Sequence, residues 1–152
     1  MPPKNIVGAI ETLIIDCAHD IDDDNLEAWP NYFTENAIYQ IIPRRSFEQG
    51  LPLGVLYCEG KGMMIDRIQA LRTANIFEPH THCHLLSRPS VKEAESVYTA
   101  RTKSLLCVQC RTEVWRRMLL GSILIKFLLK EESHYSGIGA LSWNRTGWIS
   151  CW

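Results

Sequence analysis

Residues 5–19 place apolar side chains at three- and four-residue steps: Ile6, Ile10, Leu13, Ile14 and Cys17. That spacing lines one face of a 3.6-residue period and predicts an amphipathic helix. The polar run Ile21, Asp22, Asp23, Asp24, Asn25 reads as a turn with N-capping chemistry. A short second helix is predicted over 26–33, with Trp29 and Phe33 turned inward. Residues 37–42 are β-branched, alternate in polarity and are stopped by Pro43, as a strand would be.

Residues 44–53 read as a loop containing Gly50 and Pro52. Residues 62–73 predict a helix whose apolar set is Met63, Met64, Ile65, Ile68 and Leu71. Residues 80–86 predict a second strand and 96–102 a third. Strand character persists through Leu105, Leu106, Cys107 and Val108, then dissolves beyond Gln109. Helices followed by strands and a further helix predict an α+β fold rather than a repeated βαβ unit. The apolar run 119–129 predicts a helix over 119–130, in a tail expected to be poorly packed.

Charge divides the chain slightly earlier, at residue 102. Residues 1–102 carry 9 Lys and Arg against 14 Asp and Glu, and residues 103–152 carry 7 against 3. No Asp follows Asp66. A chain of 152 residues is one domain by size. The longest apolar run is about half of the ~20 residues a membrane span needs. No apolar export segment follows Met1, so a cytoplasmic location with reduced thiols is expected for the six cysteines. The basic charges of the tail are scattered among Leu, Ile and Trp, which argues against a nucleic-acid arm.

Several clusters invite chemistry. His80, His82 and His84 would share one strand face and Cys83 the other. Imidazole and thiolate are zinc ligands, but histidines at a subunit surface are the plainer reading. Residues 20–24 lack the Gly and the terminal Glu of a calcium loop, so a solvated cap is expected there. Asp16, His19 and Asp20 could form an acid–base set in a small-molecule pocket. Cys107 and Cys110 have redox spacing, but no second Cys pair completes a metal motif. No phosphate loop, nucleophile elbow or dinucleotide fingerprint occurs.

Residues 10–102 resemble the small (beta) subunit of aromatic-ring-hydroxylating dioxygenases. The resemblance is carried by DNLEAWPNYFTENA at 24–37, by Tyr39 through Pro43 and Arg44, and by EQGLPL at 48–53. It continues through MMIDRIQALR at 63–72, Asn75, Ile76 and Phe77, and His84, Leu85 and Leu86. Cys83 departs from the family, which usually has Arg before that His. The loop at 47–53 looks closest to members acting on anthranilate, salicylate or terephthalate.

The resemblance implies a cone-like curved antiparallel sheet with N-terminal helices, similar to the nuclear-transport-factor-2 class. It also implies an α3β3 assembly whose large subunit holds a Rieske 2Fe–2S cluster, a mononuclear iron and the aromatic substrate. The small subunit would bind no cofactor or metal and be mainly structural, so no catalytic residue is carried onto this chain. A free-standing dehydratase or isomerase using His19 or an Asp, or a plain small-molecule-binding protein, is the alternative.

The family pattern is expected to end near residue 109, with the C-terminal strands disrupted over 110–152. A shifted reading frame from about Arg111 accounts for this. Taking the last base of each codon with the first two of the next, Trp148–Ile149 must give Asp. His134–Tyr135 and Cys151–Trp152 must each give Leu. For the remainder, codon degeneracy permits a string that alternates like a strand and carries an Arg-rich segment.

Overall fold

The computed structural model describes residues 4–51, 54–74, 76, 79–94, 97–110, 113–128 and 142–150. Helix α1 (Lys4–Asp22) leads through a 3₁₀ turn (Trp29–Tyr32) to strand β1 (Ile38–Pro43). A short helix α2 (Arg44–Glu48), strand β2 (Leu56–Glu59) and helix α3 (Gly60–Ala74) follow. Strands β3 (His80–Leu86), β4 (Ser90–Ala94), β5 (Val97–Cys110), β6 (Glu113–Leu128) and β7 (Ser142–Ser150) complete the order.

These strands form one sheet in the order β2-β1-β7-β6-β5-β3, with β4 also paired to β5 beyond β3. All pairings are antiparallel except β1 with β7, which run parallel. The α+β class is as expected, and the parallel pair is an addition to it.

α1 buries Ile10, Ile14, Cys17 and Ala18, with Ile6 and Leu13 packed beside them, so the sequence periodicity finds its core face. Across from it, Trp29, Phe33 and Tyr39 meet edge to face, with ring centroids 4.8–5.8 Å apart. Aromatic rings favour that geometry because a positive edge meets a negative face. Trp29 Nε1 is buried without a hydrogen-bond acceptor among the described residues. Met64 and Ile68 of α3 and Tyr98 and Ala100 of β5 join the same cluster.

Two glycines set the path between β1 and α3. A Cβ on Gly54 would lie 2.8 Å from the Ile41 carbonyl, so only glycine allows this approach to β1. Gly60 has φ +79° and donates its N–H to the Ala37 carbonyl at 2.8 Å, turning β2 directly into α3.

The structure revises several expected elements. Residues 26–33 form turns and the short 3₁₀ segment rather than a second helix. The loop expected at 44–53 opens with α2. β2 and β4, only 4 and 5 residues long, were not expected. The helix expected over 119–130 is not formed: the backbone is strand through Leu128, and residues 129 and 130 lie outside the described set. The C-terminal strands expected to be disrupted are present as β6 and β7, paired from Leu120–Ser150 to Leu128–Ser142. A long neighbour, β5, supplies the backbone partners that decide strand over helix for an apolar run of either period. Among the described residues, no helix is long and apolar enough to cross a membrane.

Candidate functional site

The polar residues singled out by sequence gather where α1 ends and β3 runs alongside it. α1 stops in a Schellman turn: the Asn25 N–H reaches the Asp20 carbonyl at 2.8 Å and the Asp24 N–H reaches Ile21 at 3.3 Å. That geometry needs a left-handed residue at Asp24, whose φ is +59°. Asp tolerates this conformation better than most residues with a Cβ, but less well than Gly.

Arg72 at the end of α3 holds the strained turn. Its Nη1 donates to both Asp24 carboxylate oxygens at 2.8 and 2.9 Å, and Nη2 donates to the Asp24 carbonyl at 2.7 Å. Nε and the other Nη2 hydrogen go to the two Glu27 oxygens at 2.9 and 3.0 Å. The two Nη1 contacts share one hydrogen, since both oxygens belong to one carboxylate, so at least four of the five donors of the guanidinium fork are used. The Arg72 hydrogen bond holds the Glu27 carboxyl below its ordinary value, and Glu27 and Asp24 together raise the Arg72 guanidinium. The acidic run is thus a helix stop clamped by a cation, rather than the expected cap ahead of a helix.

Asp20 turns the other way. It accepts from the Tyr32 hydroxyl at 2.5 Å and the Asn25 amide at 2.8 Å. The Tyr32 bond, then the Asn25 bond, hold the Asp20 carboxyl below its ordinary value. Burial, then the bond to Asp20, push the Tyr32 phenol well up. Asp16 and His19, offered as partners of Asp20 in an acid–base set, are both exposed, and the charge of His19 is the weakest of the influences on the Asp20 carboxyl.

The Asp–His pair that does form is Asp22 with His84. Asp22 Oδ1 lies 2.6 Å from His84 Nδ1, and Oδ2 accepts the His84 backbone N–H at 2.7 Å. An ionised carboxylate only accepts, so Nδ1 carries the hydrogen. Both side chains are mostly buried, at 13% and 17% exposure. The three histidines do share one strand face: His80 and His82 meet edge to face at 4.9 Å. Burial first, then the charges of His80 and His84, hold the His82 imidazole below its ordinary value.

Such a pair can orient an imidazole for proton transfer. Here its geometry serves first to fasten α1 to β3. No group of three His, Cys, Asp or Glu fit to hold a metal occurs among the described residues. Cys107 and Cys110 lie on β5, and Cys107 faces Cys83. The Asp22–His84 and Arg72–Asp24 contacts link residues 62 and 48 positions apart, which no local motif announces.

No family model matches the chain. It is 45% identical over 67 residues to the anthranilate 1,2-dioxygenase small subunit of Burkholderia cepacia, spanning 44% of this chain and 42% of that one. It is 32% identical over 114 residues to subunit beta 2 of the terephthalate 1,2-dioxygenase terminal oxygenase component of a Comamonas species, spanning 72% of each. Among solved structures, it matches the beta subunit assigned to an aromatic-ring-hydroxylating dioxygenase of Novosphingobium aromaticivorans. The TM-score there is 0.78 with 29% identity, over 97% of this chain and 93% of that one. An NTF2-like protein with a cystatin-like fold from the same organism matches at TM-score 0.64 and 15% identity, over 92% of this chain and 79% of that one, which speaks to fold alone. The expected fold class is therefore the observed one, and the chain belongs to the small (beta) subunits of aromatic-ring-hydroxylating dioxygenases.

Proposed function

We propose that the chain is the non-catalytic subunit of a terminal oxygenase component, working beside a large subunit in an α3β3 assembly in the cytoplasm. The observation that carries this reading is the 32% identity to the Comamonas beta subunit across 72% of both chains. In this reading the large subunit holds the Rieske cluster, the mononuclear iron and the ring to be hydroxylated. This chain supplies a folded surface and no reacting group. The two relatives are named for anthranilate and terephthalate, both aromatic carboxylates, and that substrate class is the one we propose. Val55 and Tyr57, at 68% and 46% exposure, leave apolar surface near β2 for a partner to cover.

Co-expression with a Rieske-type large subunit tests the reading. The expected result is co-elution as a hexamer, with hydroxylation of an aromatic carboxylate that requires both chains. A stable monomer or dimer that ignores the large subunit and turns over a small polar substrate would favour the dehydratase alternative.

We infer also that residues 1–109 carry the family pattern as an incomplete domain, and that 110–152, which supply β6 and β7, are family sequence read in a shifted frame. The forced Asp at Trp148–Ile149 supports it, and codon degeneracy permits an Arg-rich segment. Resequencing the gene is the test: an intact frame, with stop codons in the shifted one, would sink the idea.

A further inference from the structure

Cys83 and Cys107 stand directly opposite each other across β3 and β5, in a register unbroken from His80–Cys110 to Leu86–Ser104. Opposed residues project from the same face of a sheet. The two thiols therefore leave together, on the face away from His82 and His84. The Ser87 N–H donates to the Lys103 carbonyl at 2.9 Å, which marks that pair as hydrogen-bonded. Alternation along the ladder gives Cys83 and Cys107 the same type of pairing. The His84 N–H, one residue on, points off the ladder to Asp22, as this phase requires.

The Cα atoms of such a pair lie about 5.5 Å apart, inside the range of roughly 4.4–6.8 Å that disulfides span. The Cβ atoms start near 5.5 Å, whereas a relaxed disulfide holds them at about 3.8 Å. A bond formed here draws the strands together and remains easy to reduce. Both thiols are free, and access to them is asymmetric: Cys83 is exposed and Cys107 is only 8% exposed.

We propose that Cys83 and Cys107 form an oxidant-responsive pair that closes to a cross-strand disulfide, with hydrogen peroxide as the oxidant. The exposed Cys83 thiolate attacks one peroxide oxygen, the O–O bond breaks, and the departing hydroxide takes a proton to become water. Cys83 is then a sulfenic acid. The Cys107 thiolate attacks the Cys83 sulfur, the S–S bond forms, the S–O bond breaks, and a second water leaves. Two thiols give up two electrons and the peroxide takes them. Once closed, the bond locks β3, and with it His84, to β5.

Peroxide treatment of the purified full-length chain, followed by intact mass and peptide mapping, tests this. The expected product lacks two hydrogens, links the peptides bearing Cys83 and Cys107, and reverts with dithiothreitol. Cys83→Ser, an exposed change, is expected to abolish the link without unfolding the chain, and Cys107→Ser to leave Cys83 at the sulfenic or sulfinic stage. A wild-type chain whose Cys83 over-oxidises while Cys107 stays a free thiol would overturn the proposal. So would a link from Cys83 to Cys110.

Discussion

α1 and α3 send side chains into one core, yet they use their apolar residues differently. α1 buries Ile10, Ile14, Cys17 and Ala18 along a single stripe. α3 buries only Met64 and Ile68 and leaves Met63, Ile65 and Leu71 at 43–45% exposure. Met63 and Ile65 flank Met64 by about 100° on either side, so no single contact face can take all three. Leu71 is nearly in line with Met64, roughly 20° away, but it sits a turn from the helix end, beside the exposed Arg72 clamp. Apolar residues in a helix thus mark a core only where their phase and their depth both agree.

The sharpest way to break this contrast is to truncate each helix at its deepest point. Ile10→Ala and Met64→Ala remove fully buried side chains and are each expected to cost about 2–5 kcal/mol. Met63→Ser, on the same turn as Met64, is expected to change the stability of the isolated chain by no more than ~0.5 kcal/mol. Urea unfolding of the three variants measures this. Equal losses at Met63 and Met64 would erase the distinction.

A smaller effect is expected where α3 reaches back to the end of α1. Arg72→Met removes the Nη1 and Nη2 bonds that hold Asp24 at φ +59°, together with the bonds to Glu27. Its loss in thermal midpoint should be less than that of either core truncation, and adding Asp24→Gly should recover part of it, because glycine adopts this conformation freely. Failure of the second change to help would show that the clamp does not relieve backbone strain.

The smallest effect concerns pH. His82 is held below its ordinary value of 6.5, chiefly by burial, although Asp22 and Asp24 oppose the shift. The unfolded chain therefore takes up this proton before the folded one does. The His82 contribution is present in full above pH 6.5 and is lost as pH falls from there through the folded value. Unfolding measured on both sides of pH 6.5 should show a shallower pH slope in His82→Gln than in the parent. An unchanged slope would assign the dependence to another group.

The stripe of α1 and the strand at His80–Leu86 were legible because each repeats one period without interruption. β2 and β4 were not, because LYCE and SVKEA are too short to display a period. β6 reads as a helix in isolation, since residues 119–125 carry apolar side chains at both parities and pairing with β5 and β7 decides the matter. The acidic run at residues 20–24 was found, but its meaning was not. Asp20, Asp22 and Asp24 diverge to Tyr32, His84 and Arg72, three partners that only the tertiary fold brings near.

Asp22 has one more consequence. Among the described strands β3 is terminal in the sheet, the position at which a foreign strand can add. The Asp22 carboxylate occupies the N–H of His84 and sets a negative charge in the path of any incoming backbone. The contact that fastens helix to sheet is therefore also a guard on solubility.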